Sequence, residues 1–211
     1  MQTAREQRRN RQRSYRVLLI LLIIAVIATV ISFVLQKEEG SALRRLENAQ
    51  VPDWVAVDLI PVDGHSRRGE ALEDVTGIVI HYVGNPGTTA KQNRNYYTNA
   101  DSTVSSHFVV GLEGEVIQCV PLNEKSSASN SRNRDTISIE VCHPDSSGKF
   151  NDETYAALVK LTAWLVETCG LEEDAIIRHY DITGKECPRY FVQDPAAWEQ
   201  FKDDVMDAVK G

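Results

Sequence analysis

The chain has 211 residues, with 23 Lys and Arg against 30 Asp and Glu, for a formal net charge of −7. That length suits one domain of about 150 residues plus an appendage. Residues 1–36 hold six arginines and a single acid, a net of +5, which leaves −12 on residues 37–211; a body this acidic argues against nucleic acid as a partner, because phosphate binding needs a basic surface.

Residues 1–16 are basic and polar, and residues 17–35 contain no charge, Gly or Pro. As a helix, this apolar run spans roughly 30 Å, the thickness of a bilayer's hydrocarbon core. Arginines precede it and Lys37-Glu38-Glu39 follow it, so the positive-inside rule puts residues 1–16 in the cytoplasm and everything after residue 36 outside. The expectation is a single-pass, uncleaved signal-anchor. The alternative is a cleaved signal peptide, whose apolar region is normally about 7–15 residues, with Gly40-Ser41-Ala42 as a weak cleavage point. Residues 36–50 read as a linker, and the folded body is expected over 51–211.

Within the body, residues 55–60 suggest a short edge strand, and the loop 61–73 carries His65, read as a surface residue. Thr76 to Val83 is a β-branched apolar run bounded by turn formers, the pattern of a buried central strand. His81 lies near its C-terminal end, before the loop Gly84-Asn85-Pro86-Gly87. Ligands of open α/β sheets bind at that end of the strands. Thr88 or Thr89 can cap a helix running to about Tyr97. Residues 104–110 and 115–120 read as hairpin strands around Gly111-Leu112-Glu113-Gly114, and 121–135 as a polar loop. In Thr136 to Cys142, alternation puts Ile137, Ile139 and Val141 on one face and Ser138, Glu140 and Cys142 on the other. A carboxylate at Glu140, in a sheet covered by helices, costs several kcal/mol unless it is paired or near a metal. His143 then reads as a solvated loop residue. Asn151 or Asp152 caps a long helix ended by Gly170. A short strand at 175–177 leads into His179, and Asp194 or Pro195 opens a last helix to about Val209. The sum is an α/β fold with a central mixed β-sheet flanked by helices.

Arg178 to Pro188 packs a histidine, a lysine and a cysteine into a stretch too rich in turn formers to be a helix. His179 and Cys187 on one loop suit a soft metal, and His81 is the best distant third ligand. Three protein ligands leave one position open, the pattern of catalytic zinc. The other cysteines, Cys119, Cys142 and Cys169, read as buried small hydrophobes.

The body resembles the zinc-dependent N-acetylmuramoyl-L-alanine amidases often called amidase-2, a group that includes phage endolysin amidases and is related to the peptidoglycan recognition proteins. Four pieces in order carry the resemblance: Ile78 to Tyr82, Ser106 to Val110, Asn133 to Glu140, and His179 to Pro188 with its Lys-x-Cys-Pro ending. The resemblance implies one Zn2+ on His81, His179 and Cys187, a catalytic Glu140 and a catalytic Lys185. It implies hydrolysis of the amide between N-acetylmuramic acid and L-alanine in bacterial peptidoglycan or muropeptides; the anchor places this work on the outer side of the cytoplasmic membrane, and a monomer is expected. Some relatives carry a tyrosine where this chain has Ser106. His107 is weighed between substrate contact and a structural hydrogen bond; Tyr82 and Thr183 are candidate cleft residues. The alternative is a membrane-anchored peptidoglycan-binding protein without turnover, which the complete set of ligands argues against.

Overall fold

A computed structural model describes residues 4–39, 41–62 and 65–211, which divide into two compact units, Met1–Gly40 and Ser41–Gly211. The first unit is one helix, α1 (Ala4–Glu39). Its stretch Arg9–Ser32 is long and apolar enough to cross a membrane, and the large apolar side chains from Val17 to Ile31 are all exposed.

The second unit opens with α2 (Ala42–Asn48), capped by Ser41, whose side chain accepts from the Arg44 N–H. This helix falls within the stretch 36–50 that reads as a linker in the sequence. Leu46 of α2 is 1% exposed and belongs to the main core, with Ala42 and Leu43 packed beside it. The chain continues through β1 (Val55–Val57), β2 (Gly77–Tyr82), α3 (Ala90–Tyr96), β3 (Phe108–Val110), β4 (Val116–Gln118), a 3₁₀ turn at Asn130–Arg134 and β5 (Thr136–Val141). It ends with α4 (Asp152–Cys169), a second 3₁₀ turn, β6 (Ile176–Arg178), α5 (His179–Thr183), α6 (Arg189–Gln193) and α7 (Pro195–Lys210).

The helix ends follow their sequence signals. Thr89 and Gln92 form a capping box on α3, Asn151 caps α4, Gly170 ends α4 at φ +62°, and Asp194 caps α7 ahead of Pro195. Helix α5 was not expected. Its turn formers are overruled by Asp181, which accepts from the Arg178 backbone N–H and guanidinium at 2.8 Å each and so fixes the first turn. The exit is tied back by a bond from the Tyr180 N–H to the Cys187 carbonyl, 2.9 Å.

The six strands run in the order β1-β4-β3-β5-β2-β6. The β3–β4 hairpin is antiparallel, and the other neighbours pair in parallel. Alternation sorts the sheet into two faces. Ile78 and Ile80 with Ile137, Ile139 and Val141 face the large core, which includes Leu158, Leu161 and Leu165 of α4 and Trp198, Phe201 and Val205 of α7. The opposite face is covered more thinly. There Val109, Ile117, Cys119 and Cys142 form a small cluster with Ala90 and Tyr97 from the α3 region. The thin covering leaves room beside this cluster for a cleft. All four cysteines are free and buried.

Candidate active site

The cleft opens at the carboxyl ends of β2 and β5, with a volume of about 570 Å³. His81 on β2 and Glu140 on β5 are register partners across a parallel pair, so their side chains leave the same face side by side. The head of α5 brings His179, and the chain beyond α5 brings Cys187 and Lys185 to the same cleft. One donor atom each from His81, His179 and Cys187 lie within 4.8 Å of one another, and all three residues are buried. The two imidazole centroids are 4.7 Å apart, and His81 Nδ1 sits 3.9 Å from Cys187 Sγ. The far nitrogens are engaged elsewhere: His81 Nε2 meets Ser129 Oγ at 3.2 Å, and His179 Nε2 meets Asn130 Oδ1 at 2.8 Å.

The electrostatics suit a cation. Burial pushes His81 well below its ordinary pKa, helped by the charges of His179 and Lys185, and burial with Lys185 lowers His179 too. Both rings are therefore neutral and keep a lone pair. Burial pushes the Cys187 thiol up to about 12, so it needs a neighbouring cation to become the thiolate a metal binds. Burial raises Glu140 to about 8 against the opposing pull of Lys185, and its Oε2 is buried without a hydrogen-bond partner. Two neutral imidazoles and a thiol converging beside an orphaned carboxylate oxygen fit a Zn2+ site.

Residues 71–190 match the family described as Amidase_2, N-acetylmuramoyl-L-alanine amidase. The chain belongs to that amidase family. It is 32% identical over 173 residues to the N-acetylmuramoyl-L-alanine amidase BlyA of Bacillus subtilis (strain 168), covering 72% of this chain and 47% of the relative. It is 30% identical over 168 residues to CwlL of Bacillus licheniformis, covering 72% and 46%. The chain thus spans about half the length of the curated relatives it matches. Among solved structures it is similar to the catalytic domain of XlyA, with a TM-score of 0.63 and 30% identity over 72% of this chain and 98% of that one.

In this amidase-family body the expected site residues do not all meet. Tyr82 lines the cleft, with the Arg189 guanidinium 5.7 Å over its ring. His107 does not. It is fully buried; its Nδ1 accepts from the Ser138 N–H at 3.0 Å and its Nε2 donates to the Glu124 carbonyl at 2.8 Å. No ring nitrogen is left to meet a substrate, so of its two weighed roles it fills the structural one. Thr183 also lies off the cleft: its hydroxyl donates to the His179 carbonyl at 3.2 Å and accepts from the Lys185 N–H at 3.2 Å, shaping the ligand loop. His143, expected in solvent, is 1% exposed and lies 5.1 Å from the Tyr82 ring. The sequence reading missed three neighbours of the site. Ser129 and Asn130 were lost in a polar loop. Tyr97, at the end of α3, reaches the cleft, and its hydroxyl meets Ser106 Oγ at 3.0 Å.

Proposed function

We propose that this chain is a membrane-anchored zinc amidase that hydrolyses the amide joining the lactyl group of N-acetylmuramic acid to L-alanine in bacterial peptidoglycan. The observation that carries this reading is the meeting of two imidazoles and a thiol, from two segments far apart in sequence, with an unpartnered buried carboxylate oxygen in one cleft. His81, His179 and Cys187 would hold the ion. A zinc ion there would polarise the scissile carbonyl and lower the pKa of a water from ~15.7 to about 7.

Glu140 takes the proton from the attacking water and hands it to the departing L-alanine nitrogen. Burial raises its pKa to about 8 even against the pull of Lys185, which suits holding the proton until it is passed on; the carboxylate needed for the first step depends on a further positive charge nearby. A cation at the cluster would act in the same direction as Lys185. Lys185, two residues before Cys187, stands at the cleft where negative charge grows on the carbonyl oxygen, and its ammonium stabilises that oxyanion. Residues 17–35 anchor the chain with the N-terminus inside, and the catalytic unit works outside as a monomer on wall material close to the membrane.

The test uses the full chain in detergent, with metal content and digestion of purified peptidoglycan measured together. One zinc per chain and new L-alanine amino termini, abolished by chelation, are expected. Glu140→Gln should keep its zinc and lose on the order of 10²–10⁴ in turnover; undiminished turnover would remove Glu140 as the base. Zinc without cleavage, on walls of several stem-peptide types, would identify a binding protein instead. A chain without zinc would overturn the ligand assignment.

A further inference from the structure

Each cluster histidine is held from behind, and by adjacent residues. His81 Nε2 lies 3.2 Å from Ser129 Oγ, and His179 Nε2 lies 2.8 Å from Asn130 Oδ1. An amide oxygen only accepts. His179 therefore carries its proton on Nε2, and Nδ1 is left with the lone pair. The His81 ring is oriented the same way, with Nε2 on the Ser129 hydroxyl, which can donate or accept, and Nδ1 toward Cys187 Sγ.

The backbone that presents these two anchors is itself constrained. Asn130 has φ +51°, the left-handed region, and among the described residues it is the non-glycine residue found there. Such conformations persist where the surroundings over-determine them, and they cluster at ligand sites. The constraint comes from Asn133, whose Oδ1 accepts from the N–H groups of Ala128 and Ser129 at 3.1 and 2.6 Å. Asn tolerates the left-handed region better than most side chains and also carries an acceptor; Gly would meet only the first need.

We propose that Ser129 and Asn130 are positioning residues: Asn130 sets the tautomer and orientation of His179 and so leaves its Nδ1 free for a metal, and Ser129 holds the His81 ring with Nδ1 turned toward Cys187. This rests on the reading of His81, His179 and Cys187 as a metal site. Second partners of this kind are worth about 10–100-fold in metal affinity.

The probe is Co2+ alone, titrated into the metal-stripped full chain in detergent and read by the thiolate-to-cobalt charge-transfer and d–d bands. Wild type should bind one ion. Asn130→Gly, which keeps the backbone and drops the acceptor, should bind about 10–100-fold more weakly with a shifted d–d band, while its metal-free melting temperature stays at the wild-type value. Asn130→Asp should restore most of the affinity. Ser129→Ala tests the His81 anchor separately and serves if Asn130→Gly does not fold; a loss of similar size is expected. Wild-type affinity and spectrum in Asn130→Gly, or a loss that Asn130→Asp does not repair, would overturn the positioning role while leaving the metal site intact. A wild type that takes up no cobalt would instead remove the metal site and this inference with it.

Discussion

His107 and Glu140 occupy the same side of the sheet, and burial drives their pKa values in opposite directions. Glu140 rises to about 8 and lines the cleft; His107 falls to about 4 and is sealed beneath it. The His107 bonds suit only the neutral ring, since Nδ1 accepts from Ser138 N–H. In the unfolded chain the ring titrates near 6.5. Between those values the unfolded chain takes up a proton that the folded chain refuses. Stability from this group is therefore full above about 6.5 and falls as pH drops toward 4. From pH 7 to pH 5 the loss should be about 2 kcal/mol. Urea unfolding of wild type and His107→Gln at both pH values checks it: the variant should lose about that much less on acidification, and equal losses would mean His107 is not held neutral. The residue scale also marks where sequence reading stops. His81, His179 and Cys187 stand at strand and loop boundaries and differ from their neighbours in type, so their convergence was legible. Ser129 and Asn130 look like any solvated loop until the fold sets them behind the two rings. His143 follows a strand end, and nothing local signals that it will be buried against Tyr82.

Among the elements, the strands were the most legible, because strict alternation in β5 and the β-branched run of β2 report burial on two faces directly. Short helices were the least legible. Helix α5 is a single turn held by Asp181 and Arg178, a bond that spacing alone does not announce. Helix α2 has seven residues, two of them Arg, and a helix that short is marginal in water without packing. Its packing is tertiary: Leu46 enters the main core, and Arg45 lies over the carboxyl end of α4 at Gly170, where a cation meets the negative end of the helix dipole. A linker would be indifferent to truncation at Leu46. A core residue would not, and Leu46→Ala should cost about 2–4 kcal/mol in urea unfolding, with a smaller loss for the half-buried Leu43→Ala. A change under about 0.5 kcal/mol at Leu46 would mean that α2 is not part of the folded unit.

At the scale of the molecule, composition had already separated a basic, apolar head from an acidic body, and the structure keeps that division as two units. Each has its own source of order. Helix α1 satisfies its backbone internally and exposes apolar side chains along Val17–Ile31, which suits lipid as surroundings. The unit Ser41–Gly211 has its own core on both faces of the sheet. If residues 17–35 are the anchor, the full chain should stay in the membrane pellet through an alkaline carbonate wash. A chain lacking residues 1–40 should move to the soluble fraction and keep the melting temperature of the body, because Leu46 and the α2 packing are retained. Truncated chain still in the pellet would assign membrane attachment to the body. Gene product recovered from cells with its first residue near 41 would identify residues 17–35 as a cleaved signal, and the body would then be released from the membrane rather than held at it.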